Sequence, residues 1–155
     1  MAITQFNHLT ETEKNLLMAS PALVTYLIGS ADNNFDAKEE EHSKHVIRIR
    51  TATGDPILFD FYKEVDELFA GQLTDLVSEY ASLQAKARTQ LLIDELAKLN
   101  EILPKIDTIY VHALLKSMRS LAELVAEASG GVFGFLEVSY EEKHLVGLQM
   151  ITYAP

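Results

Sequence analysis

From Ile57 to Leu103 the apolar positions Ile57, Phe61, Val65, Leu68, Phe69, Leu73, Leu76, Tyr80, Leu83, Ala87, Leu91, Leu96, Leu99 and Leu103 succeed one another at steps of mostly three or four. That is the spacing of one face of an α-helix. A single helix of this length would extend about 70 Å at a rise of 1.5 Å per residue. A compact domain of this size has a radius of gyration of only about 15 Å. The run must therefore break and fold back; Gly71 is the expected break, and Pro104 ends it.

The rest of the chain is punctuated in the same way. Thr10-Glu11-Thr12-Glu13 has the form of a capping box, in which side chains at both ends satisfy orphan backbone N–H groups. A short helix with Leu16, Leu17 and Met18 is expected after it. Ser20-Pro21 reads as a second start, carrying a helix with Leu23, Leu27 and Ile28 to about Ser30. Asp36-Ala37-Lys38-Glu39 opens another, with Val46 and Ile49 on its buried face, which dies at Thr51-Ala52-Thr53-Gly54. Asp55-Pro56 caps the next. After Pro104 a helix from about Ile106 to Ala128 carries Ile109, Ala113, Leu114, Leu121, Leu124 and Val125. Ser129-Gly130-Gly131 is expected to stop it, with a loop on to Glu137. Ser139-Tyr140-Glu141-Glu142 is a second capping box, before a last helix holding Leu145, Leu148 and Ile151. Val132-Phe133 and Leu136-Val138 are too short and glycine-interrupted to carry a sheet. The expectation is an all-α fold, a compact bundle of about seven helices making one domain over residues 1–155.

The chain is 48% apolar, which permits a core without staples, and it has no cysteine, so disulfides, thiolate metal sites and cysteine nucleophiles are excluded together. Its 13 Lys and Arg stand against 23 Asp and Glu, a formal net charge of −10, which phosphate backbones and anionic lipid would repel. Nucleic acid is thus an unfavourable partner; cations or a basic protein surface are favourable ones. No signal peptide and no run of about 20 apolar residues is visible, so a cytoplasmic protein without membrane insertion is expected.

Two stretches share a grammar: Ala31-Asp32-Asn33-Asn34-Phe35-Asp36-Ala37-Lys38-Glu39 and Gly134-Phe135-Leu136-Glu137-Val138-Ser139-Tyr140-Glu141-Glu142. Each places an apolar residue (Phe35, Val138), a cap (Asp36, Ser139) and a glutamate three residues after the cap, at the same separation. The apolar residue can act as a hydrophobic staple. A weak internal pseudo-repeat of two helical hairpins is one reading; ordinary helix-start grammar is the other. The first stretch resembles the A-D-G-x-[IV]-[SD]-x-x-E signature of TerB-like tellurite-resistance proteins. The segment from Val125-Ala126-Glu127-Ala128-Ser129-Gly130-Gly131 to Glu142 resembles the closing part of one branch of that family. The resemblance implies an all-helical fold, a role in tellurite and general chemical-stress resistance, and acidic residues that bind metal. It also implies action through protein partners, membrane-associated stress-resistance proteins among them, and not through catalysis. Matched position by position, the first signature gives Asp32 and Glu39 and the second gives Glu142. Asn33 stands where glycine is usual, and asparagine also enters left-handed turns. Phe135 and Leu136 stand where a second Asp-Gly would be, which puts a second matching site in doubt.

Asp32, Asn34 and Asp36 occupy alternate positions before Glu39, as oxygen ligands do at the opening of a calcium loop. Ala37 at the glycine position and Ser43 at the bidentate-glutamate position exclude a complete EF-hand. What is left is a partial, weak divalent site (Ca, Mg or Zn) made by Asp32, Asn34, Asp36 and Glu39, with Glu142 from the family match. The competing reading gives Asp36 and Glu39 only their capping roles. Glu39-x-x-His42 and Glu141-x-x-His144 have the spacing found in di-iron carboxylate bundles, which makes such an enzyme the alternative function. Both pairs, however, lie in first turns among charges. His42 and His45 share a face with Val46 and Ile49 and are expected at the rim of the core; His8 and His112 have no evident partners. The loop expected at Gly130, Gly131 and Gly134 comes after a helix and leads into acids, unlike a phosphate cradle. The sequence thus points to a non-catalytic TerB-like accessory protein that binds a divalent cation weakly and a protein partner through its acidic surface. Its oligomeric state is left open.

Overall fold

Thr10 Oγ1 accepts a hydrogen bond from the Glu13 N–H at 3.1 Å, and the Glu13 carboxylate accepts from the Thr10 N–H at 2.9 Å. The expected capping box is formed, and it starts helix α1, Glu11–Gly29. The structure is a computed structural model that describes residues 3–31, 35–137 and 145–154, with the backbone alone for 129–137. The other helices are α2 (Ala37–Thr53), α3 (Phe59–Tyr80), α4 (Ala85–Ala97), the single turn α5 (Leu99–Ile102) and α6 (Thr108–Glu137). Among the described residues the fold is all-α, with five extended helices where about seven were expected, and no strand.

One expected boundary, at Ser20-Pro21, is absent and another, at Gly71, is displaced; the first, together with the last expected helix, accounts for the difference. Helix α1 runs through Pro21. Proline has no N–H to reach the Leu17 carbonyl four residues back, and the Ser20 hydroxyl donates to that carbonyl at 2.7 Å in its place. From Leu17 to Ser30 every residue except Ala19 is buried. A helix apolar all round belongs inside, and α1 is the central rod on which α3, α4 and α6 pack. Helix α3 likewise runs through Gly71, where an added Cβ would meet nothing within 4 Å. The chain turns instead at Ala81–Gln84, where the buried Arg88 guanidinium donates to the Leu83 carbonyl at 3.3 Å and to the Ser30 carbonyl, at the end of α1, at 2.9 Å.

Side-chain pairs give the helix directions. Glu40 with Thr74, Arg48 with Asp66 and Thr51 with the Tyr62 carbonyl make α2 and α3 an antiparallel hairpin. Gln72 with the Met18 carbonyl and Tyr80 with Tyr26 make α1 and α3 parallel. Helix α6 closes the core with Tyr110, Val111, Leu114, Met118, Leu121 and Val125. Phe6, ahead of α1, packs edge-on against both Phe61 and Tyr110 at ring-centroid distances of 6.3 and 5.6 Å. Ile49, Leu68, Leu91, Ile109 and Leu124, expected on buried faces, are exposed; Ile109 is 71% accessible.

The C-terminal third differs most from expectation. The α6 backbone continues past Ser129-Gly130-Gly131 to Glu137; a glycine costs roughly 1 kcal/mol in a helix interior without forbidding it. The second capping box lies outside the described residues, and with it the part of the second copy of the pseudo-repeat after Glu137. Among the described residues of the expected last helix, Leu145 and Val146 are helical, residues 147–150 form a turn and 151–154 are irregular. Leu148 takes a left-handed φ of 50°, an unfavourable conformation for a residue with a Cβ. Its side chain is fully buried there, and that burial is what holds the turn. Asn100 then pins the end of the chain: its amide donates to the Met150 carbonyl at 2.9 Å, and its oxygen accepts from the N–H groups of Thr152 and Tyr153 at 2.8 and 3.0 Å. No helix among the described residues is long and apolar enough to cross a membrane.

Candidate functional site

Of the five expected ligands, Asp36 and Glu39 are described; Asp32, Asn34 and Glu142 lie outside the described residues. The junction between α1 and α2 is anchored at both ends. On one side Arg88 holds the Ser30 carbonyl. On the other the Phe35 ring packs edge-on against Tyr26 with centroids 5.7 Å apart, and it fills the space beside Gly29, where a Cβ would come within 2.5 Å of the ring. Phe35 therefore fastens the junction back onto α1. A small polar cavity of about 150 Å³ lies here, lined by Tyr26, Ser30, Phe35, Val77, Ala81 and Arg88. Burial pushes the Tyr26 hydroxyl above the usual tyrosine value, against the pull of the Arg88 charge.

Asp36 is exposed, and its Oδ1 accepts from the Glu39 N–H at 2.9 Å. That is the capping role. The helix start also presents positive charge, which favours carboxylates and opposes metal. The Arg88 guanidinium adds a buried positive charge to the same junction. Among the described residues no group of three or more His, Asp or Glu side chains is positioned to hold a metal ion.

The histidines of α2 face outward. His42 and His45 are exposed, on the same side as Ile49, while Ser43 and Ile47 form the buried face. Of the two apolar residues expected on the buried face, Val46 packs half-buried against the core and Ile49 does not. A di-iron ligand must project into the bundle, which His42 does not do; Glu141 and His144 lie outside the described residues.

Two features had no forecast. In one, Tyr62, Ser117 and Arg50 form a network across α2, α3 and α6. The Tyr62 and Ser117 hydroxyls lie 2.5 Å apart, and Arg50 donates to the Ser117 carbonyl and hydroxyl at 3.3 and 3.2 Å. The guanidinium carbon sits 5.9 Å from the Tyr62 ring centre. Burial raises the Tyr62 hydroxyl above its usual range, partly countered by the Ser117 bond and the Arg50 charge. In the other, an open groove of about 630 Å³ runs between α6 and Ile151–Ala154, with His112, Lys116, Arg119, Ser120 and Glu123 along the helix wall. Arg119 Nε donates to the Gly147 carbonyl at 3.1 Å, tying the two walls together. The helical spacing of His112, Lys116 and Arg119 was legible; the second wall was not.

Comparison of the chain with family models, with curated proteins and with solved structures finds no match.

Proposed function

We propose that this chain is a non-catalytic accessory domain of the TerB-like kind, serving tellurite or chemical-stress resistance by recognising a protein partner. The observation that carries the reading is the α1–α2 junction. There Ser30 accepts from Arg88 and Phe35 packs on Tyr26, directly before the exposed Asp36 that caps α2. Such anchoring limits the ordering cost that a recognition turn incurs on binding. The exposed Asp36 carboxylate and the chain's net charge of −10 suit a basic partner surface. Weak binding of a divalent cation by Asp32, Asn34, Asp36 and Glu39, with Glu142, is the second part of the proposal, and the Arg88 charge is a reason for it to be weak.

The test is the double variant Asp32→Ala, Glu39→Ala, compared with the parent in calcium, magnesium and zinc titration and in pull-down from cells under tellurite stress. Both signals are expected to fall while the helical circular dichroism is retained. Unchanged titration and unchanged capture would remove the junction from consideration as a site.

A further inference from the structure

We infer that the groove between α6 and the C-terminal segment is a docking site for an acidic peptide strip of a partner protein, separate from the α1–α2 junction and opposite to it in charge. On a chain where acids outnumber bases by 23 to 13, the groove reverses the balance among the described residues: Lys116 and Arg119 line it against Glu123, with the His112 imidazole beside them. His112, Lys116 and Arg119 fall at positions i, i+4 and i+7 of one helix face, so these basic side chains form a row of hydrogen-bond donors about 10 Å long at 1.5 Å per residue. A single phosphate or carboxylate would engage one or two of them. Side chains on one face of an extended peptide recur about every 7 Å, so two carboxylates of a strip span the row. The floor is apolar, with Leu115 and Ile151 buried at its base, so the matching strip alternates acidic and apolar residues. The wall facing the cations is in place before any ligand arrives, held by Asn100 at Met150, Thr152 and Tyr153 and by Arg119 at Gly147. A preformed groove of this kind spares a ligand the cost of ordering it.

The probe is a short fluorescein-labelled peptide of alternating Glu and Leu, titrated with the full chain in low salt and monitored by polarisation; a Lys-Leu peptide serves as control. Saturable binding of the Glu-Leu peptide is expected, weakened at least about tenfold by Lys116→Glu (roughly 1.4 kcal/mol) and retained by Lys116→Arg. Lys116 is exposed, so the reversal leaves the fold intact. Ala154→Trp, which narrows the groove from the opposite wall without altering charge, should also weaken binding. No binding, equal binding of the Lys-Leu peptide, or indifference to both Lys116→Glu and Ala154→Trp overturns the proposal. Complete displacement by inorganic phosphate overturns it in favour of a small-anion site. Lys116-dependent capture by phosphatidylserine vesicles without peptide binding overturns it in favour of a lipid surface.

Discussion

Ser20 shows how a single hydroxyl can change what the residue after it does. A proline beside a serine ordinarily marks a helix start, yet here the serine closes over the Leu17 carbonyl that proline leaves without a donor. One turn on, the Thr25 hydroxyl adds a second bond to the Pro21 carbonyl at 2.8 Å. The site is fully buried, so water cannot replace either bond. Replacing Ser20 with alanine should therefore destabilise the protein by about 1–3 kcal/mol, the usual cost of a buried acceptor left unsatisfied. Urea denaturation measures this, and a loss below a few tenths would show that the hydroxyl is not what carries α1 past the proline. Residue identity alone could not forecast this, because Ser-Pro supports both a cap and a buried patch; what decides is the apolar shell around Leu17–Ser30.

At the scale of elements, the sequence located most helix starts and misjudged where three helices stop. Thr10, Asp36 and Asp55 each accept the backbone N–H expected of a cap, because capping is a local bond between neighbours in sequence. Stops depend on what lies across the molecule. Helix α3 continues through Gly71 and ends where Arg88 reaches the Leu83 carbonyl. Gly71 is exposed, and the space around it is open. Gly71→Ala should therefore stabilise the protein by roughly 0.5–1 kcal/mol through helix propensity. An upward shift of the thermal midpoint checks this; an unchanged or lowered midpoint would mean that the helix is interrupted there after all. Helix α2 teaches a different lesson. Its polar sequence has little contrast between faces, so Ser43 and Ile47 could turn inward and leave His42, His45 and Ile49 outside.

Across the whole molecule, the buried tyrosines tie stability to alkaline pH. Tyr26, Tyr62, Tyr80 and Tyr110 all have hydroxyls raised above the ordinary value of 10.0, with burial the leading cause for each. Above that value the unfolded chain holds fewer protons than the folded one, so stability falls as pH rises. The contribution is complete below pH 10 and is lost progressively through the raised folded values. The urea midpoint should drop over this range together with the appearance of phenolate absorbance, and Tyr62→Phe should make the decline shallower. A midpoint independent of pH above 10 would contradict the burial of these hydroxyls.

The candidate site was legible in proportion to its locality. The capped start could be read because Phe35, Asp36 and Glu39 are neighbours in sequence, whereas their partners Arg88 and Tyr26 come from other helices. The basic groove could be half read, since His112, Lys116 and Arg119 share a helix face but their opposite wall arrives from the chain's end through Asn100. By itself the sequence determined the helical class and the capped starts, which rest on periodicity and on bonds spanning three or four residues. Only the tertiary structure decided which helix lies at the centre, where α3 turns and which charges face one another. Those outcomes depend on contacts between residues far apart in the chain, whose free energy exists only once the core has formed.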